Sequence, residues 1–506
     1  MNARLHCRPG QPAQLARGAW REDSKDAMDQ TDLHAHSTMP SLVAAFESLR
    51  AGYAREPMPD LKRRLGWLAS LHALVRDNAD RFADAVDRDF GHRSNDETRL
   101  LEIFPTLEGI RHNRKHLPQW MQPESRGVSV FFQPGRAKLM PQPLGVVGVI
   151  VPWNYPIYLS IGPLAAALAA GNRVMLKMSE LTPATNELLA ELLAQRFRPD
   201  EVAVLGGDAE VGKAFAGLPF DHLMFTGSTA IGRSVMQSAA QHLTPVTLEL
   251  GGKSPAIVGP GFPVAKAAER IMAGKLLNAG QTCIAPDYAL VPASQVEGFV
   301  AAAKQFVAEA YPSILKSPDY TSMATHRQFH RMVDYLNEAR AKGAKVVPLA
   351  AGRAKEPDAK TRRVPPVIVL DAPADLHLMR HEIFGPILPV VPYMGLDEAI
   401  AYVNARPRPL ALYYFDHDQS RIDRVLARTV SGGVTINDTL LHIAQDDLPF
   451  GGVGPSGMGH YHGREGFATF SKMKPVFHQS RMNGMALFKP PYGTAFRSLL
   501  GVLIRR

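Results

Sequence analysis

The chain has 506 residues, 45% hydrophobic and 21% charged, enough to bury a sizeable core over about two to four domains. Only two cysteines occur, Cys7 and Cys283, which excludes a disulfide framework and fits a reducing, cytoplasmic setting. The net charge of +9 is spread rather than clustered, which argues against a nucleic-acid partner.

Residues 1–40 hold five basic and five acidic residues and no apolar run long enough for a signal peptide. They are expected to be disordered. Residues 41–122 show helical periodicity, with Leu61, Leu65, Leu68, Leu71 and Val75 forming one apolar stripe. Residues 123–143 are broken by Gly and Pro around short apolar runs, as in a hairpin or an excursion.

From Leu144 the rhythm changes. "LGVVGVIVP", "NRVMLKMS", "VAVLGG", "HLMFTGS" and "PVTLELGG" read as strands, each followed or preceded by a helical segment. This alternation predicts an α/β fold with a parallel sheet covered on both faces. A second alternating block starts near Gly251-Gly252, a plausible hinge, with "PAIVG", a long helix over 264–281, "YALVP", "PPVIVL", "ILPVVPY", "LALYYF" and "GGVTIN". Two Rossmann-like domains are expected, with a ligand cleft between them. The tail 481–506 carries five basic residues and no acidic one. It is too short to span a bilayer, and a solvated or docked tail is preferred over contact with an anionic membrane surface.

Several residues stand out chemically. Cys283, in "GQTCIAPDY", is on its own most simply a buried structural cysteine. Its Gly-Gln-Thr approach is unlike core packing, and a thiol of lowered pKa there is a strong nucleophile. Glu249 sits between Leu248 and Leu250 at a strand end, so it is either a desolvated general base or an exposed strand residue. Asn154, in "VPWNYP", is either an oxyanion donor or an Asx turn before Pro156. "FTGSTAIG" gives a strand-to-helix turn with Gly227, Ser228 and Gly232, where helix N–H groups can face a phosphate. Lys177 and Glu180, in "LKMSE", form either a ribose site or a surface ion pair. "HEIFGP" and the Gly-rich "LPFGGVGPSGMGHYHG" read singly as loops.

In one chain and in this order, PWNYP, LKMSE, FTGS, LELGGKSP, GQTC, EIFGP and PFGG resemble the aldehyde dehydrogenase superfamily over residues 60–478. "QTCIAPDY" and "PFGGVGPSGMGHYHG" resemble its class-3-like branch, and the second is similar to bacterial coniferyl aldehyde dehydrogenases. The resemblance implies NAD(P)-dependent oxidation of an aldehyde through a cysteine thiohemiacetal and a thioester released by water. Cys283 would be the nucleophile, Glu249 the base and Asn154 the oxyanion donor. Pro152, Trp153, Lys177, Glu180, Gly227, Ser228, Gly232, Glu382 and Phe384 would contact the cofactor. KMSE departs from the family's usual KPSE at Met178, and Glu180 favours NAD while leaving NADP open. No metal is implied.

The implied layout is a cofactor domain (41–122 and 144–250), a catalytic domain (251–445) and a dimer-making arm (123–143 and 465–480). Tyr155, Tyr158 and Phe467 suggest an aromatic-tolerant tunnel suited to a cinnamyl-type aldehyde. A medium-chain aliphatic aldehyde, or a non-catalytic binding protein on this fold, are the alternatives.

Overall fold

The computed structural model describes residues 39–350 and 355–505. The expectation of disorder for residues 1–40 therefore falls almost wholly outside the described residues, and a helix starts at Met39.

The lead-in is helical as its periodicity dictates. Helices span Met39–Arg55, Leu61–Asp77, Ala79–Phe90 and Phe104–Trp120. Of the apolar stripe, Leu68, Leu71 and Val75 are buried, and Leu61 and Leu65 pack partly buried against the same core. Asp60 caps the second helix by accepting from the Arg63 N–H at 2.7 Å. Just before Phe104 the chain winds as a π-helix over Arg99–Ile103.

Two sheets carry the α/β architecture. The first runs in the order Gly457–Met458, Val246–Leu250, His222–Gly227, Val146–Ile150, Arg173–Lys177, Val202–Leu205. Its last five strands are parallel, and the short Gly457–Met458 edge is antiparallel. The chain leaves Val146–Ile150 in one direction and later returns to its other side with His222–Gly227. The crevice beyond the carboxyl ends of these two strands is where such sheets take ligands. The second sheet runs Lys345–Pro348, Val367–Leu370, Ile387–Tyr393, Tyr288–Pro292, Pro255–Val258, Ala411–Phe415, Gly433–Ile436. It is parallel except for the Lys345–Pro348 edge.

A third, antiparallel sheet joins Glu124–Arg126, Arg136–Pro143 and Ser471–His478. The segment that leads into its last strand is a short helix, Gly463–Thr469. The basic tail forms the helix Thr494–Ile504, which buries no residue. No helix among the described residues is long and apolar enough to cross a membrane.

One expectation needs correction. The helix expected over 264–281 ends at Leu276. Asn278, Ala279 and Gly280 then turn left-handed, with φ of 52°, 50° and 77°. The backbone groups freed by this turn are taken by side chains from elsewhere, described below.

The helix Tyr158–Ala170, rich in Leu and Ala, is buried along nearly its whole length. Arg64 is itself buried, and it donates to Ala169 O at 3.2 Å, Ala170 O at 2.8 Å and Pro59 O at 2.9 Å. Gly171 closes the helix at φ 95°, and a Cβ there would collide with the Arg64 guanidinium. Arg64→Met removes a positive charge from the helix C-terminus and strands three buried carbonyls. It is expected to cost about 3 kcal/mol, read as a lower midpoint in urea denaturation.

Candidate active site

Parallel strands end where their side chains and following loops meet in the crevice. Val146–Ile150 leads into Pro152, Trp153 and Asn154, and His222–Gly227 leads into Ser228. Val246–Leu250 brings Glu249 to the level of Thr226. These residues, with Gly251, Cys283, Arg331, Glu382 and Phe384, line one cleft of about 180 Å³.

Cys283 and Glu249 also line a second cavity of about 820 Å³. Its walls include Tyr155, Tyr158, Leu159, Leu277, Phe450 and Tyr461. Leu100, Phe104 and Leu441, all exposed, stand at its rim. The cysteine and the glutamate thus sit where two cavities of different character meet. Tyr155 and Tyr158 lie on the tunnel wall as expected. Phe467 does not: it is buried against the Trp120 ring, 5.8 Å away.

Glu249 is 3% exposed, which removes the exposed-strand alternative. Neither carboxyl oxygen has a hydrogen-bond partner among the described residues. Burial alone pushes its pKa well above the usual carboxylate range. The side-chain amide of Asn154 donates to Gln281 O at 3.1 Å, which leaves its second N–H free for the cleft. Asn154 is therefore not an Asx turn.

Cys283 is half-buried where the two cavities meet. Its thiol is pushed up to about 12, first by burial, then by the Glu382 and Glu249 carboxyls. The backbone N–H groups of Cys283 and Ile284 pull the other way and lose. The sequence leaves the direction of this shift open, since the carboxyls and the dry setting only appear once the chain is folded. In this state the sulfur rests as a thiol.

The residues of the cleft suit the nicotinamide end of a dinucleotide. Ser228 caps the helix Thr229–Ala240 through its hydroxyl, and the first-turn N–H groups of that helix offer an anion seat. Glu382 is held at the wall with Oε1 unpartnered and its pKa pushed up to about 8, by burial first and then by Asp287. A Cβ on Gly251 would strike its other oxygen, so a larger residue there would displace the Glu382 carboxyl. Trp153 and Phe384 meet edge to face at 5.4 Å. Gly232 does not line the cleft. It lets the helix close on Leu250, whose side chain a Cβ would strike.

Lys177 and Glu180 stand outside this cleft, at the end of Arg173–Lys177. Lys177 is buried, donates to Met178 O at 2.8 Å and approaches Glu180 at 3.9 Å, while half of the Glu180 side chain is exposed. Burial lowers the Lys177 pKa. Among the described residues no group of His, Cys, Asp and Glu could hold a metal.

Sequence reasoning missed the buried partners of this site: Arg93, Glu97, Glu102 and Asn278. "GHRSNDETRLLE" reads as an ordinary charged helix start, and nothing in its spacing marks which charges turn inward.

Residues 36–476 match the aldehyde dehydrogenase family. This chain belongs to the aldehyde dehydrogenase family. A relative from Pseudomonas aeruginosa, named "Probable coniferyl aldehyde dehydrogenase", is 56% identical over 92% of this chain and 96% of its own. The substrate-bound structure of Staphylococcus aureus AldH has a TM-score of 0.86 at 36% identity, covering 91% of this chain and 99% of that one. A Mycobacterium tuberculosis aldehyde dehydrogenase solved with NAD+ has a TM-score of 0.79 at 26% identity, covering 88% and 91%. The family makes this aldehyde dehydrogenase an oxidoreductase acting on aldehydes.

The thiol state gives a direct expectation. Alkylation of Cys283 by iodoacetamide should quicken about tenfold per pH unit from pH 7 to 10, because only the thiolate reacts. Mass spectrometry of the Cys283 peptide reads it, and levelling near pH 9 would contradict the raised pKa.

Proposed function

We propose that this aldehyde dehydrogenase oxidises a cinnamyl-type aldehyde such as coniferyl aldehyde to its acid, using NAD. One observation carries the reading: Cys283 and Glu249 line both the dinucleotide-like cleft and the aromatic-walled tunnel. The relative named for coniferyl aldehyde, 56% identical, supports the substrate. The solved relative with NAD+ supports the cofactor.

The residues act in sequence. Cys283 Sγ, once deprotonated, adds to the carbonyl carbon entering from the tunnel. The free N–H of Asn154 and the backbone N–H of Cys283 hold the oxyanion, an effect worth about 3 kcal/mol per donor. When bound, the nicotinamide supplies the acceptor for the hydride that leaves the tetrahedral carbon. Glu382, Phe384, Trp153 and Ser228 hold that cofactor, with Pro152, Gly227 and Gly232 shaping the backbone around it. A thioester on Cys283 remains. Glu249, in its ionised form, takes a proton from water, and the hydroxide attacks the thioester carbonyl, frees the acid and releases the sulfur. A water-hydrolysed thioester fits Glu249 and predicts no acyl-CoA when coenzyme A is added.

Lys177 and Glu180 are assigned to the adenine-side ribose. Glu180 disfavours a 2′-phosphate by charge repulsion. The third sheet supports a homodimer, and the scarcity of cysteine supports a cytoplasmic setting. Ser471–His478 is an edge strand, and Val130, Phe131, Phe132 and Phe477 are exposed on or beside that sheet. Light scattering on the purified enzyme reads the dimer.

NADH formation from coniferyl aldehyde, followed at 340 nm, tests the reaction. Cys283→Ala should abolish it, and Asn154→Ala should lower kcat by about 100-fold or more. Turnover by Cys283→Ala removes the nucleophile from the reading, and a strong preference for hexanal removes the aromatic substrate. Comparing kcat/KM for the two dinucleotides tests the cofactor, with Glu180→Gln expected to raise that for NADP by about tenfold.

A further inference from the structure

Three buried charged side chains stand behind the reacting groups, and no role above uses them. The backbone carbonyl of Asn154 accepts from Arg93 Nη1 at 3.1 Å and from Asn278 Nδ2 at 3.0 Å. The same Arg93 nitrogen donates to Glu102 Oε1 at 2.9 Å, and neither side chain of this pair is exposed. Glu102 Oε2 accepts from the backbone N–H groups of Ile157 at 2.8 Å and Tyr158 at 3.2 Å. Glu97 is a second buried carboxyl. Its Oε1 accepts from the Asn278 N–H, and its Oε2 accepts from the Thr321 hydroxyl at 3.3 Å.

These contacts converge on two short segments. One is the loop that carries the Asn154 amide into the helix Tyr158–Ala170. The other is the left-handed turn Asn278–Gly280, three residues before Cys283. Consecutive left-handed residues persist only where the surroundings over-determine them. Glu97 grips that turn by its backbone. Asn278 ties it to Asn154 and, at 3.1 Å, to Gln281 O, the same carbonyl that holds the Asn154 amide.

A buried ion pair adds little stability over an apolar replacement, because desolvation offsets the attraction. This one fixes distances instead. We propose that Arg93, Glu97 and Glu102 are positioning residues that set the spacing between the Asn154 amide and the Cys283 sulfur. The π-helical segment Arg99–Ile103 makes the arrangement possible. It turns Glu102 inward while Leu100 and Leu101 line the tunnel. The proposal rests on the roles given above to Asn154 and Cys283.

Glu102→Gln tests it. Glutamine keeps an acceptor for the two helix N–H groups but loses the charge that holds Arg93. The expected result is a fall in kcat of about 10- to 100-fold, with KM for aldehyde and for NAD within about threefold, as for a small misplacement of reacting groups. The isotope effect on kcat with aldehyde deuterated at C1 should rise, as hydride transfer from the ill-placed thiohemiacetal becomes limiting. Arg93→Lys keeps the charge but withdraws the Nη1 donor that reaches both Asn154 O and Glu102, and should behave alike. NADH binding and the denaturation midpoint check that each variant is folded.

Folded variants with wild-type kcat and isotope effect overturn the proposal. So does failure of both variants to fold, which assigns the group to stability. If Asn154→Ala itself leaves kcat untouched, the oxyanion assignment fails, and that outcome is distinguishable from failure here.

Discussion

A helix enclosed by protein cannot leave its terminal peptide groups to water, and that constraint organises this enzyme. Tyr158–Ala170 has Glu102 at its N-terminus and Arg64 at its C-terminus, each charge opposed to the local end of the helix dipole. Just beyond the C-terminus, Asn172 donates to Ala167 O at 3.1 Å and Phe470 O at 2.8 Å and accepts from the Leu144 and Gly145 N–H groups. One buried amide thereby ties the helix to the start of the first parallel strand and to the segment before the last antiparallel one. The loop bearing Asn154 has no freedom left, because both the strand before it and the helix after it are pinned.

The same dryness that demands these caps sets the chemistry. Glu249 meets no donor, so its carboxyl stays neutral far into the range where exposed carboxyls ionise. Cys283 lies between Glu249 and Glu382, and each carboxyl discourages a second negative charge. The enclosed site thus disfavours negative charge on all three groups. Its reactivity is gated by what enters: substrate from the tunnel and cofactor from the cleft.

Much of this was legible in the sequence. The strands from Val146–Ile150 to Val246–Leu250 were marked by short Val- and Leu-rich runs between helical periods, and the structure has them within a few residues. Cys283, Glu249 and Asn154 were marked by residues unsuited to their neighbours. Other features depend on tertiary pairing and left no local trace. The helix stop at Leu276 shows this, since "GKLLNAGQ" is helix-compatible and the partner of the Asn278 N–H in the turn that follows, Glu97, lies 181 positions earlier. The direction of the thiol's pKa shift was illegible for the same reason, because Glu382 is a sequence-distant neighbour. Phe467 failed because aromatic character does not reveal which side of a helix faces a cavity.

The protonated state of Cys283 also bears on wear. Peroxides and other electrophilic oxidants attack thiolates, so a sulfur that titrates near 12 is a poor target while the enzyme idles. Among the described residues no second cysteine stands nearby to form a disulfide with it. Protection must then come from keeping the proton on. Burial that raises the pKa of the reacting sulfur would lengthen its working life at the expense of the step that needs the thiolate.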